Sequence, residues 1–155
     1  MKIAIGSDHA GFDLKQNIIQ YLKKLKYEIK DFGTFNSESC DFPDYAKKVC
    51  KSISEGEYER GILVCLTGTG MTVASNKFKN IIATNIYSST DASLEIIKHD
   101  REHLNSNVLC LSAKFLDIEF AKKVIDIWLK TDFKGSEPGG ERFLRRLSKI
   151  KEMEK

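Results

Sequence analysis

Five short apolar runs recur along the chain: KIAIGS (2–7), YEIKDFG (27–33), ILVC (62–65), IIATNI (81–86) and NVLCLS (107–112). Each is too short for a stable helix, and Ile62, Leu63 and Val64 of the third are the branched apolar residues that fill a strand buried on both faces of a parallel sheet. Between them the period changes. In DLKQNIIQYLKKL the apolar residues Leu14, Ile18, Ile19, Leu22 and Leu25 fall at helical spacing. LDIEFAKKVIDIWLK does the same with Ile118, Phe120, Ala121, Val124, Ile125, Trp128 and Leu129. Further helices are expected from Pro43 through Tyr45, Ala46, Val49 and Ile53, over MTVASNKF, and through Leu94, Ile96 and Ile97. Strands alternating with helices predict an α/β fold, a three-layer α/β/α sandwich around a five-stranded parallel sheet. A chain of 155 residues without repeats or low-complexity segments fits one domain, 1–155. Its end, ERFLRRLSKIKEMEK, follows a glycine-rich loop, so 139–155 is expected to hold a projecting helix whose Leu144, Leu147 and Ile150 dock on a partner subunit.

The third run ends on Cys65 and feeds directly into LTGTG. That junction is the carboxyl end of a strand, where open α/β sheets bind their ligands. Gly68 and Gly70 let the backbone take positive φ and turn its N–H groups toward one point, a nest for oxyanions. The helix start behind it adds positive partial charge, so a thiolate at Cys65 would find donors there. A structural cysteine beside a glycine turn is the plainer reading. Asp8 and His9 follow the first strand and stand at the same edge, an acid beside an imidazole; a helix N-cap and a surface histidine are their plainer readings. Tyr45 opens a helix after a long polar loop, where it either reaches a ligand or packs. His99 and His103, four apart, share a helix face. Such a pair can bind zinc, but no third ligand is evident and the HExxH glutamate is missing, which favours proton transfer. Arg142 and Arg146 are also four apart and either stay solvated or clamp a phosphate. The ligand edge is thus expected to gather Asp8, His9, Cys65, Thr67 and the residues near His103.

A formal net charge of +3, from 25 basic and 22 acidic residues mixed along the chain, gives no broad field for nucleic acid or a membrane surface. The apolar start of MKIAIGSD breaks at Gly6, too soon for a secretory segment, and no run is long enough to span a membrane. Cys40, Cys50, Cys65 and Cys110 lack paired metal-type spacing. They are expected as reduced thiols in the cytoplasm, Cys110 in the core and Cys40 and Cys50 without a role.

IGSDHAGFDLK, DFPDYA, GILVCLTGTGMTVASNKF, REHLNSNVLCLSAKF and GGERFLRRLSKI stand in this order between Met1 and about Ile150. Together they resemble the ribose 5-phosphate isomerase B family, which includes galactose 6-phosphate isomerase subunits and allose 6-phosphate isomerases. The resemblance implies a Rossmann-like fold with strand order 2-1-3-5-4, a homodimer with active sites between subunits, and aldose-ketose isomerisation through a cis-enediolate with no metal or other cofactor. It matches Cys65 to the base that moves a proton between C2 and C1, His103 to the ring-opening residue, and Asp8 to the handling of sugar hydroxyl protons. Leu66, Thr67, Gly68, Thr69 and Gly70 would form the oxyanion hole, with the Thr67 hydroxyl contributing. His9, Arg142 and Arg146 match the phosphate positions, and Tyr45 and Lys114 complete the substrate-binding set.

Three residues depart from the family pattern: Leu104 stands where an asparagine is usual, leaving a polar contact to be supplied elsewhere, as by Asn105; Lys114 replaces an arginine; Phe143 replaces a histidine. The segment before His103 is also about four residues longer than the pattern, so His99 competes with His103 for the ring-opening role. Ribose 5-phosphate is the leading substrate. A six-carbon aldose 6-phosphate is the alternative within the same chemistry, and a non-catalytic phosphate-ligand binding module is the alternative outside it.

Overall fold

The computed structural model describes residues 1–154. Strands β1 (Lys2–Ser7), β2 (Glu28–Asp31), β3 (Arg60–Cys65), β4 (Ala83–Ile86) and β5 (Val108–Ser112) form one sheet in the order β2-β1-β3-β5-β4, and every pairing is parallel. Helices α1 (Phe12–Lys24), α2 (Phe42–Ser54), α3 (Thr69–Ser75), α4 (Asp91–Leu104) and α5 (Ile118–Lys130) lie between and after the strands, and α6 (Glu141–Lys151) closes the chain. This is the expected three-layer sandwich, with the expected strand order.

Side chains alternate across the strands, so the sheet feeds two separate cores. Ile3, Ile5, Ile62, Val64, Leu109 and Leu111 face α1, α4 and α5, where Trp128 is fully buried. Ala4, Leu63, Cys65, Val108 and Cys110 face α2 and α3, against Val49, Cys50 and Met71. Cys50 is therefore core rather than incidental; burial pushes its thiol up to about 11 and that of Cys110 to about 12.

The differences from expectation are local. β4 begins at Ala83 rather than residue 81, because Ile82 gives its N–H to the Asn107 side chain at 2.8 Å and its carbonyl to Asn107 N. β2 is four residues long. α3 starts at Thr69, so Gly70 lies inside its first turn, and α6 ends at Lys151. Residue 155, assigned to that last helix, lies outside the described residues. Among the described residues no helix is long and apolar enough to cross a membrane.

Candidate active site

Register brings the first group of residues together. Ser7 pairs with Val64, and Asp8 N donates to Val64 O at 3.2 Å, so Asp8 and Cys65 stand side by side at the carboxyl edge. The Cys65 side chain is 5 % exposed, and Gly68 N–H donates to its Sγ at 3.2 Å. Gly68 has φ 76° and caps α3; a Cβ there would stand 2.1 Å from Asn85 Oδ1 and 3.2 Å from the Leu111 carbonyl carbon, so this turn admits only glycine. Asn85 holds the turn from the opposite side, donating through Nδ2 to Thr67 O and Thr69 Oγ1, both at 3.3 Å. Gly70 is needed for space: a Cβ would meet the Phe42 ring at 3.0 Å. Leu66 carbonyl accepts from Ser112 Oγ and Lys114 N, while its side chain is exposed, as is Lys114.

Asp8 is buried and accepts from Gly11 N–H at 3.0 Å, but the capping position of α1 is Gly11 itself, so Asp8 is no N-cap. Burial raises its pKa, against the opposing pull of Gly11 N–H and His9. The folded state therefore holds the proton more tightly than the unfolded chain, and Asp8 costs stability at neutral pH. Asp8→Asn, which keeps the acceptor for Gly11 N–H, is expected to raise thermal stability at neutral pH. The gain should shrink as pH falls toward 3.8, the ordinary value, where the carboxyl is protonated in both states. Melting curves of both proteins across that range measure it.

His9 is exposed at the same edge, with Nδ1 3.2 Å from Cys40 N at the end of the β2–α2 loop. Tyr45 lies beside that loop, its ring so close over Gly33 that a Cβ would stand 2.9 Å away.

The second group lies elsewhere. In a parallel sheet each helix returns the chain to the amino edge, and α4 ends at Leu104 just before β5 begins at Val108. His103 is therefore separated from Cys65 by the length of a five-residue strand, about 16 Å. The expectation that one edge gathers Asp8, His9, Cys65, Thr67 and the residues near His103 is corrected on this point. His103 instead meets α6: its ring stacks on the buried Phe143 at 4.3 Å with 12° between planes, and the Arg142 guanidinium sits 4.5 Å over the other ring. Burial lowers the His103 pKa, helped by His99, Lys134 and Arg142 and opposed by Glu102, so the ring is a neutral imidazole at neutral pH. His103 and Arg142 thus form one cluster, with Arg146 exposed one turn further along α6.

Phe143 in place of a histidine gives His103 a flat apolar support, which sequence spacing could not disclose. Asn105 does not replace the asparagine missing at Leu104. It ends α4 at φ 54°, and its Oδ1 is taken by Arg101 at 2.9 Å. Arg101 also donates to Ser106 O at 2.6 Å and so fixes the turn behind His103. Leu104 itself lines a groove with Phe78, Ile82 and Ile150.

Comparison with known proteins agrees with this geometry. A family model described as Ribose/Galactose Isomerase matches residues 3–150. The chain is 39 % identical over 134 residues to ribose-5-phosphate isomerase B of Escherichia coli, covering 86 % of this chain and 87 % of that one. Its fold superposes with TM-score 0.90 on ribose-5-phosphate isomerase B of Clostridium thermocellum, at 40 % identity over 99 % of this chain and 97 % of the other. With the Mycoplasma genitalium enzyme, solved with bound ribulose-5-phosphate, the TM-score is 0.86 at 34 % identity, over 97 % and 94 % of the two chains. The chain belongs to the ribose/galactose isomerase family.

Proposed function

We propose that this chain interconverts ribose 5-phosphate and ribulose 5-phosphate as a cytoplasmic homodimer, each active site joining the Cys65 edge of one subunit to the His103 cluster of the other. The observation that carries the reading is the Cys65 sulfur, held 3.2 Å from the Gly68 N–H beside Asp8, in a chain of this family.

The sugar must first be opened. His103 as a neutral imidazole takes the proton from the anomeric hydroxyl and returns one to the ring oxygen, freeing the C1 aldehyde. The Cys65 thiolate then removes the proton from C2. The electron pair left behind forms the C1=C2 bond, and O1 becomes the oxyanion of a cis-enediolate. N–H groups of residues 66 to 70 and the Thr67 hydroxyl stabilise that charge without reorganising. Asp8 carries the hydroxyl proton from O2 to O1, the Cys65 thiol returns its proton to C1, and the C2 ketone results. His9 from one subunit and Arg142 and Arg146 from the other face the phosphate dianion, with Tyr45 and Lys114 at the rim. The exposed Leu144 and Ile150 of α6 supply apolar surface for the subunit contact.

The test is turnover of ribose 5-phosphate by the wild-type protein in the presence of a chelator. The reading expects full activity. Absence of turnover, with activity on allose or galactose 6-phosphate instead, would replace the substrate; absence on all three would favour a phosphate-ligand binding module.

A further inference from the structure

α4 offers more than one histidine to the surface beside α6. His99 lies one turn before His103, with ring centroids 5.0 Å apart. Glu102 shares their face, and one donor atom from each of His99, Glu102 and His103 lies within 4.8 Å of the other two. The carboxylate is the third ligand that the histidine spacing alone does not reveal. Positions i, i+3 and i+4 of a helix cover one patch, so three such side chains converge without any help from the rest of the fold.

A zinc-class ion needs imidazole nitrogens and a carboxylate oxygen close together, and this patch presents two of the first and one of the second. Lys134 and Lys98 both approach the same carboxylate oxygen, Oε1, at 3.0 and 4.0 Å, which leaves Oε2 for a metal. His99 is exposed, so its ring can turn inward to close the set to the spacing of about 3.3 Å that tetrahedral zinc requires. Stacking on Phe143 already fixes the plane of His103. The surroundings choose among ions. Lys98, Lys134 and Arg142 repel any cation held by charge alone, such as magnesium or calcium, whereas imidazole ligation favours zinc, nickel and copper.

We propose that His99, Glu102 and His103 form a binding site for a zinc-class divalent cation, and that its occupancy removes His103 from the sugar. The second half rests on the isomerase reading; the first does not. An ion there occupies the lone pair that ring opening uses, so it inhibits the enzyme, while a fourth coordination position stays open to water.

Calorimetric titration of chelator-treated protein with zinc chloride tests the site directly, comparing wild type, His99→Ala and Glu102→Gln, with magnesium chloride as control. The expected result is one zinc ion per chain, affinity reduced at least about tenfold in both variants, and no magnesium binding. In parallel, zinc at the same concentrations should inhibit ribose 5-phosphate turnover of the wild type but not of Glu102→Gln, each rate being taken relative to the same protein's zinc-free rate. No zinc binding by the wild type overturns the site. Unchanged binding in His99→Ala also overturns it, by placing the ion on another group such as Cys65. Binding that depends on His99 without inhibition overturns the second half alone. A protein with no isomerase activity would still be decided by the calorimetry.

Discussion

Replacing Cys65 by serine is expected to lower kcat by about 10²–10⁴-fold, with KM changed only a few-fold, the magnitude typical of removing a positioned acid or base. Serine is the informative choice. Its hydroxyl fills nearly the same volume and still accepts the Gly68 N–H, so the turn that carries Thr67 keeps its shape. Alanine would instead leave that buried N–H without a partner and add about 1–3 kcal/mol of structural cost to the reading. What serine cannot do is ionise near neutral pH, because an alcohol is a far weaker acid than a thiol. In the proposed site, substrate binding is assigned to His9, Arg142 and Arg146, which the substitution does not touch, so the loss is expected to fall on the chemical step. Steady-state kinetics on ribose 5-phosphate, with circular dichroism to verify folding, separate the two. Near-normal turnover in Cys65→Ser would remove the thiolate from the mechanism.

Asp31→Ala is expected to be the most destabilising single change in the framework of the site, by about 3–5 kcal/mol, the usual cost of stripping one partner from a buried ion pair. Lys15 is fully buried on α1, a place that an ammonium tolerates only with its charge and donors satisfied. Its Nζ donates to both Asp31 carboxylate oxygens at 2.7 and 2.8 Å and to Thr34 O at 2.6 Å, and the rings of Phe12 and Phe35 stand 5.6 and 5.4 Å away. Asp31 also accepts from Gly33 N–H at 2.9 Å, so the same carboxylate starts the β2–α2 loop that ends on His9 through Cys40. Removing it should lower Tm by roughly 6–20 °C in a chain of this size. Lys15→Met in the same chain should return most of the loss, because the buried charge disappears with its partner. A Tm drop of only a degree or two in Asp31→Ala would show that Thr34 O alone suffices for Lys15.

The layers were legible because the sequence changes period sharply, from short apolar runs to helical spacing, whereas the strand order came only from the family resemblance. The carboxyl-edge group was legible too, since Asp8 and His9 follow β1 and Cys65 ends β3, two strands paired in register. The second group was legible as residues but not as a place. Spacing puts His103 and Arg142 on helix faces, yet only the parallel topology sends the end of α4 to the amino edge, away from Cys65. Phe143 looked like a lost histidine, and its stacking under His103 could not be read from composition. The commitment of Asn105 to Arg101 was equally hidden, because it depends on a turn with φ 54°. Glu102 escaped notice as a companion to the two histidines for a different reason: HExxH is one arrangement of such ligands, and a carboxylate between them at another helical step makes the same patch.

The separation of Cys65 from His103 within one chain makes a shared active site the central claim, and mixing two inactive variants tests it. Cys65→Ser and His103→Ala, each inactive as a homodimer, are unfolded and refolded together so that subunits exchange. In a mixed dimer one site collects both defects and the other collects neither. Random pairing therefore predicts recovery of about a quarter of wild-type turnover in a two-fold symmetric dimer. That recovery would mean that Cys65 of one subunit works with His103 of the other. No recovery, with mixed dimers verified by mass spectrometry, would contradict the account.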